Sequence, residues 1–208
     1  MNENQIREIV ARVLSSLDNS EATIPVEASA RHVHLTKEAV ETLFGKGTTL
    51  TKKRDLSQPG EFLSEQRIKL VTAKGEIANV AVLGPERKAV QVELSLTDCR
   101  TLGIKAPVNL SGDLSGAGDV YLVSECGIYN ATKSVIVAKN HIHMTPTDAA
   151  KYGVSDSQSV KVRVKTSRPV TFEDVIIRVN QNFALAMHID FDEANACCLD
   201  KNSKGKIY

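Results

Sequence analysis

A chain of 208 residues can bury a sizeable core, as one domain or as two small ones. Its formal net charge of +1, absence of Trp and 4% aromatic content argue against nucleic-acid or anionic-membrane partners. No apolar run reaches the roughly 18 residues a spanning helix needs, and no signal-peptide core is evident, so a cytoplasmic location is expected. At the N-terminus, Ile6, Ile9, Val10, Val13, Leu14 and Leu17 share one helical face, opposite Asn2, Glu3, Arg7, Glu8 and Arg12. An amphipathic helix is therefore expected over 1–17, followed by a polar linker over 18–25.

Beyond Pro25 the pattern changes to period 2. Segments 67–71, 77–83, 160–164 and 175–179 are β-branched and partly alternating, and read as strands. Lys74-Gly75 and Gly84-Pro85 read as turns between them. The body is expected to be mostly β with short helices. Cys99, Cys126, Cys197 and Cys198 include no C-x-x-C and are expected to be small buried thiols in a reducing compartment.

The chain also repeats itself. His32-Val-His-Leu-Thr recurs as His141-Ile-His-Met-Thr, 109 residues later. Gln91-Val-Glu-Leu-Ser-Leu-Thr-Asp aligns with the second of these at an offset of 50, and a weaker copy begins at His188. Thr97-Asp98 and Thr147-Asp148 are expected to cap short helices that stop at Gly103 and Gly153. The unit is thus a short strand followed by a capped helical turn, and the halves look duplicated.

Residues i and i+2 of a strand project from one face, so His32 with His34, and His141 with His143, can grip an ion. In the alignment, Glu93 takes the place of His34 and His143, and His188 that of His32 and His141. All five histidines then occupy ligand positions, and with Glu93 six ligands are available. Three per ion with an open position is the pattern of catalytic rather than structural zinc. Imidazole and carboxylate without thiolate suit Zn²⁺, with Co²⁺, Mn²⁺ or Fe²⁺ as alternatives. A set of hydrogen-bonded histidines at a domain junction is the plainer alternative.

Arg87 follows the Gly84-Pro85-Glu86 turn, expected to lie on the same hairpin as Glu93, and could hold phosphate or carboxylate bidentately. A solvated hairpin charge is its plainer reading. Ser111-Gly-Asp-Leu-Ser-Gly116 lacks P-loop spacing and reads as a turn, and Lys52-Lys53-Arg54 as a solvated run.

Several of these motifs together resemble one family. They are Arg31-His-Val-His-Leu-Thr, Asp55-Leu-Ser-Gln-Pro-Gly60, Gly84-Pro-Glu-Arg-Lys, Gln91-Val-Glu-Leu-Ser, Leu102 through Val108 with Ser111-Gly-Asp-Leu114, and His141-Ile-His-Met-Thr. The family is the phosphate propanoyltransferases of propanediol-utilisation type, and the likeness runs in order from about 25 to 208. It implies two similar β-barrels that exchange a strand: 26–30 with 139–208 forming one, and 31–138 the other. It implies two zinc ions per chain, one on His32, His34 and Glu93 and the other on His141, His143 and His188, with Arg87 serving phosphate. Coenzyme A enters as substrate; its contact residues are not assignable from sequence. Two departures stand out. Asn140 replaces the counterpart of Arg31, and Asn109 follows Ala-Pro-Val where a basic residue is expected.

In that context the helix over 1–17 resembles an encapsulation peptide, with microcompartment shell or core enzymes as partners and the microcompartment interior as location. The implied activity is acyl transfer between coenzyme A and phosphate, with propanoyl-CoA or acetyl-CoA as acyl donor. A homodimer is compatible with this reading. Two alternatives are carried forward: a zinc-dependent thioesterase or hydrolase, and a non-catalytic module pinned by metal.

Overall fold

The computed structural model describes residues 22–208, together with Ile6 and Ile9. The helix expected over 1–17 otherwise lies outside the described residues; Ile6 and Ile9 are helical and exposed. No helix among the described residues is long and apolar enough to cross a membrane.

Strand β1 (Ile24–Ser29) opens the body. Eight strands follow: β2 (His32–His34), β3 (Lys52–Asp55), β4 (Phe62–Val71), β5 (Glu76–Gly84), β6 (Gln91–Leu94), β7 (Val108–Asn109), β8 (Gly118–Val123) and β9 (Ile128–Ala138). They form a sheet in the order β3-β4-β5-β2-β6-β9-β7, which β8 closes into a barrel by pairing with both β4 and β9. The C-terminal strands are β10 (His141–Met144), β11 (Ser159–Lys165), β12 (Val170–Val179), β13 (Ala186–Asp190) and β14 (Lys204–Ile207). These close a second barrel, β1-β13-β10-β12-β11-β14. The first strand of the chain therefore belongs to the barrel built from its last third, which is the expected strand exchange.

Alternation accounts for the barrels. In β11, Val160, Val162 and Val164 face inward while Ser159, Lys161, Arg163 and Lys165 are exposed. Each barrel has its own core: Val33, Leu70, Val82 and Leu122 in one, Ile24, Ile142, Met144 and Ile177 in the other. Burying each such side chain contributes about 1.5–3 kcal/mol.

Four short helices ride on the barrels: α1 (Lys37–Phe44), α2 (Leu96–Leu102), α3 (Pro146–Tyr152) and α4 (Phe191–Ala196). Their N-caps are Thr36, Ser95, Thr145 and Asp190. The caps of α2 and α3 are thus two residues earlier than expected from Thr97 and Thr147. Asp98 and Asp148 sit instead at the third helical position, closing capping boxes. Gly103 and Gly153 end their helices in the left-handed conformation, as anticipated. Where α2 ends, the Thr72 hydroxyl donates to Leu102 O at 2.6 Å, giving an orphaned carbonyl its partner. The Ser124 hydroxyl does the same for Leu43 O at the end of α1.

The four cysteines are free, and the expectation of burial holds for only two. Cys99 and Cys197 are buried, each packed into one barrel's core, whereas Cys126 and Cys198 are exposed.

Candidate metal centres between the barrels

The two His-x-His strands occupy equivalent places. β2 lies between β5, parallel to it, and β6, antiparallel; β10 lies likewise between β12 and β13. Ile142 and Met144 fill a barrel core, so period 2 turns His141 and His143 the other way, to the outside of the barrel. In the antiparallel neighbours, Glu93 stands opposite His32 and His188 opposite His141. Glu93 and His188 are therefore equivalent to each other, and the weak fourth repeat is displaced by two residues from the expected alignment. The caps explain the shift. His34, Glu93, His143 and His188 each lie two residues before the N-cap of the following helix.

Two triads result: His32, His34 and Glu93; and His141, His143 and His188. Within each, the candidate ligand atoms lie within 4.8 Å of one another. His32 Nε2 is 3.5 Å from Glu93 Oε2. Roughly 3.3 Å separates two ligands of one tetrahedral zinc at 2.0–2.1 Å, so this pair already has the required spacing. His32 Nδ1 donates to Ala30 O at 2.8 Å, and His141 Nδ1 to Lys139 O at 2.7 Å. Because a carbonyl only accepts, each Nε2 carries its lone pair into the cluster, the orientation a metal-binding imidazole takes from its outer partner. His34 Nδ1, His143 Nδ1 and His188 Nε2 are buried without a hydrogen-bond partner. Such orphans are rare in folded proteins, and together with this donor set they fit a bound cation.

The electrostatics point the same way. Burial holds His34 and His141 below the usual imidazole range, and takes His188 down to about 4 and His143 to about 2. For Glu93, burial favours the neutral acid, but His32, Ser111, His141 and Arg87 outweigh it and keep the carboxylate ionised. Neutral imidazoles and an ionised carboxylate are the protonation states that metal ligation needs.

Both triads line one cavity of about 880 Å³ between the barrels. The chain passes from one barrel to the other immediately before each motif, through Ala30-Arg31 and through Lys139-Asn140. The two links are built alike. Arg31 pairs with Asp98 of α2 at 3.0 Å, and Asn140 Nδ2 donates to Glu193 of α4 at 2.7 Å. Asn140 thus performs the neutral counterpart of the Arg31 contact, while Asn109 closes the 109–115 loop through Asp113 O and Ser115 O.

Arg87 faces this cavity, though not from a hairpin shared with Glu93. β2 separates β5 from β6, so the segment carrying Arg87 crosses over that strand, held by Arg87 N donating to Leu35 O at 2.8 Å. Arg87 pairs with Glu61 at 2.9 Å and reaches Ser111 Oγ at 3.5 Å. Gln91 Nε2 donates to Glu93 Oε1 at 2.6 Å and to Ser111 Oγ at 2.8 Å, while Gln91 Oε1 accepts from Gly112 N at 2.9 Å. The loop read as a plain turn is therefore fastened beside a triad. Its Ser111 oxygen accepts from Gln91 and Arg87, while its hydroxyl donates to the Glu93 carboxylate. Glu61, Ser111 and Arg178 line this cavity and Gln91 adjoins it, though none was assigned a role from the sequence; for Gln91 and Ser111 the resemblance motifs were the available signal. Of the basic run 52–54, Arg54 also lines the cavity.

The phosphate propanoyltransferase family model matches residues 25–200, a span that includes both triads and Arg87. The chain belongs to the phosphate propanoyltransferase family. Membership places it among the acyltransferases. Proteins named phosphate propanoyltransferase share 51% identity with it in Clostridioides difficile, over 99% of this chain and 98% of theirs, and 48% in Leptotrichia buccalis, over 100% and 99%. The phosphate propanoyltransferase of Thermotoga maritima is 48% identical over 91% of this chain and 90% of its own.

Proposed function

We propose that the protein is a phosphotransacylase interconverting a short-chain acyl-CoA, propanoyl-CoA or acetyl-CoA, and phosphate with acyl phosphate and coenzyme A. Two zinc ions per chain would be held, one by His32, His34 and Glu93 and one by His141, His143 and His188. The observation that carries this reading is the pair of buried triads opening onto one cavity whose wall also holds Arg87 and Ser111. Zinc, when bound, supplies Lewis acidity and helps a strongly hydrated anion shed water.

The chain's own residues do the rest. Arg87 holds phosphoryl oxygens with its planar fork and neutralises charge as the reaction proceeds. Ser111, held by Gln91, accepts from Arg87 and braces the Glu93 carboxylate, so that both are fixed beside the same anion. A phosphate oxygen forms a bond to the thioester carbonyl carbon, the carbon–sulfur bond breaks, and coenzyme A leaves as the thiolate. The cavity's partial enclosure orients both reactants and excludes competing water. No cysteine lines it, in keeping with direct transfer.

The same proposal covers organisation. Residues 26–30 with 139–208 and residues 31–138 act as the two domains, in line with the strand membership of the barrels. The segment 1–17 serves as an encapsulation peptide within a bacterial microcompartment, supported by its amphipathic pattern and by exposed Ile6 and Ile9.

Thiol release from acetyl-, propanoyl- and butanoyl-CoA, measured with and without phosphate, tests the chemistry. Release should require phosphate and be matched by acyl phosphate formed. Equal release without phosphate would replace transfer by hydrolysis, and no release from metal-loaded protein would leave a non-catalytic module.

A further inference from the structure

Arg178 was not singled out by any motif. It lies on β12 directly beside His143 of β10, on the cavity side of the sheet, while its neighbour Ile177 enters the barrel core. Its guanidinium carbon stands 5.9 Å over the Phe183 ring, which itself packs against the His143 ring at 4.2 Å. Among the described residues Arg178 makes no hydrogen bond and no ion pair, although it is half-buried. Burial lowers its pKa first of all, Glu93 opposes this, Arg87 from the other barrel lowers it further, and Asp156 and Glu61 raise it. Arg87 is already neutralised by Glu61 at 2.9 Å. The cavity thus holds a partly desolvated guanidinium with five donors, influenced by Glu93, Asp156 and Glu61 only through space and paired directly by none of them. A charge in that position is costly unless paired, and the residues around it leave the pairing to a ligand.

We propose that Arg178 receives the transferred phosphoryl group, so that phosphate or acyl phosphate is clamped between guanidiniums contributed by both barrels. This rests on the phosphotransacylase reading. Arg178 offers phosphate a guanidinium held by no ion pair, whereas Arg87 is shared with Glu61, and the C-terminal barrel thereby supplies more than metal ligands. The coenzyme's own phosphates share this chemistry, and the test separates the two sources.

The full-length, metal-loaded protein is compared with its Arg178→Gln and Arg178→Lys variants. Inorganic phosphate is titrated calorimetrically, KM is measured separately for phosphate, acyl phosphate and acyl-CoA, and zinc content is determined. Losing a charge-assisted contact should raise the phosphate Kd and KM about 10- to 100-fold in Arg178→Gln, with zinc content and the KM for acyl-CoA unchanged. Arg178→Lys should recover only part of the loss, because an ammonium cannot bind bidentately. An unchanged phosphate Kd, a rise confined to acyl-CoA, or a loss explained by missing zinc would overturn the assignment. Weakened phosphate binding in a protein whose wild type transfers no acyl group would uphold Arg178 and reject the phosphotransacylase reading instead.

Discussion

His141 and Arg87 line the same cavity but act on different partners, and their variants should part accordingly. His141 is held in one tautomer by Lys139 O, and its Nε2 belongs to a triad in which His143 Nδ1 and His188 Nε2 are buried and orphaned. His141→Ala should abolish transfer and lower metal content measured by mass spectrometry; full activity in metal-depleted protein would remove metal from the reaction. Arg87 touches no triad nitrogen in a hydrogen bond and pairs with Glu61. Arg87→Ala should raise the KM for phosphate or lower kcat while both metals remain bound. A phosphate dependence identical to wild type would take Arg87 out of the site. These two residues were legible in the sequence because one sits in a repeated motif and the other in a turn of known type. Arg178 was not, since it acquires meaning only from His143, a strand neighbour distant in the chain, and Gln91, though it opens a repeat copy, acquires its meaning only from the Ser111 loop.

At the scale of elements, the recurring unit is a strand, a ligand two residues before a cap, and a short helix. Helices of this length are marginal alone, so their caps matter more than propensity. Ser95 is the cap of α2, and its hydroxyl accepts from Asp98 N at 3.2 Å while Asp98 also holds Arg31 of the link between barrels. Ser95→Ala should cost about 0.5–2 kcal/mol, lowering Tm by roughly 2–4 °C per kcal/mol for a chain of this size. Calorimetry showing no change would mean that the helix is held by packing alone. The repeat itself was visible in the sequence, but its fourth copy was displaced by two residues. Asp190 caps α4 where the other copies use Thr or Ser, so identity of letters misled where equivalence of caps does not.

For the molecule as a whole, the decisive feature is how two barrels share one cavity. Their crossings precede the two motifs, so each His-x-His strand begins at the junction. Gln58 fastens the barrels: its amide accepts from Ala184 N at 3.1 Å and donates to Ala184 O at 3.0 Å, imitating a strand pair. Its side chain is buried. Gln58→Ala would strip both partners from the Ala184 peptide, and should destabilise the fold by about 1–3 kcal/mol. Chemical denaturation should register this, and a wild-type midpoint would show that the barrels dock without that contact.

Alternation, turn chemistry and the paired motifs determined a mostly β, duplicated chain with a candidate metal set, because those signals are local and repeat every two residues or at fixed offsets. The family resemblance grouped the six ligands in threes; tertiary structure alone decided that both triads open on one cavity, and that Ser111, Glu61 and Arg178 join them. Such partners lie 20 or more residues apart in the cases of Gln91 with Ser111 and Arg87 with Glu61. Contacts of that range are set by strand order and barrel closure, and no local pattern of residues encodes them.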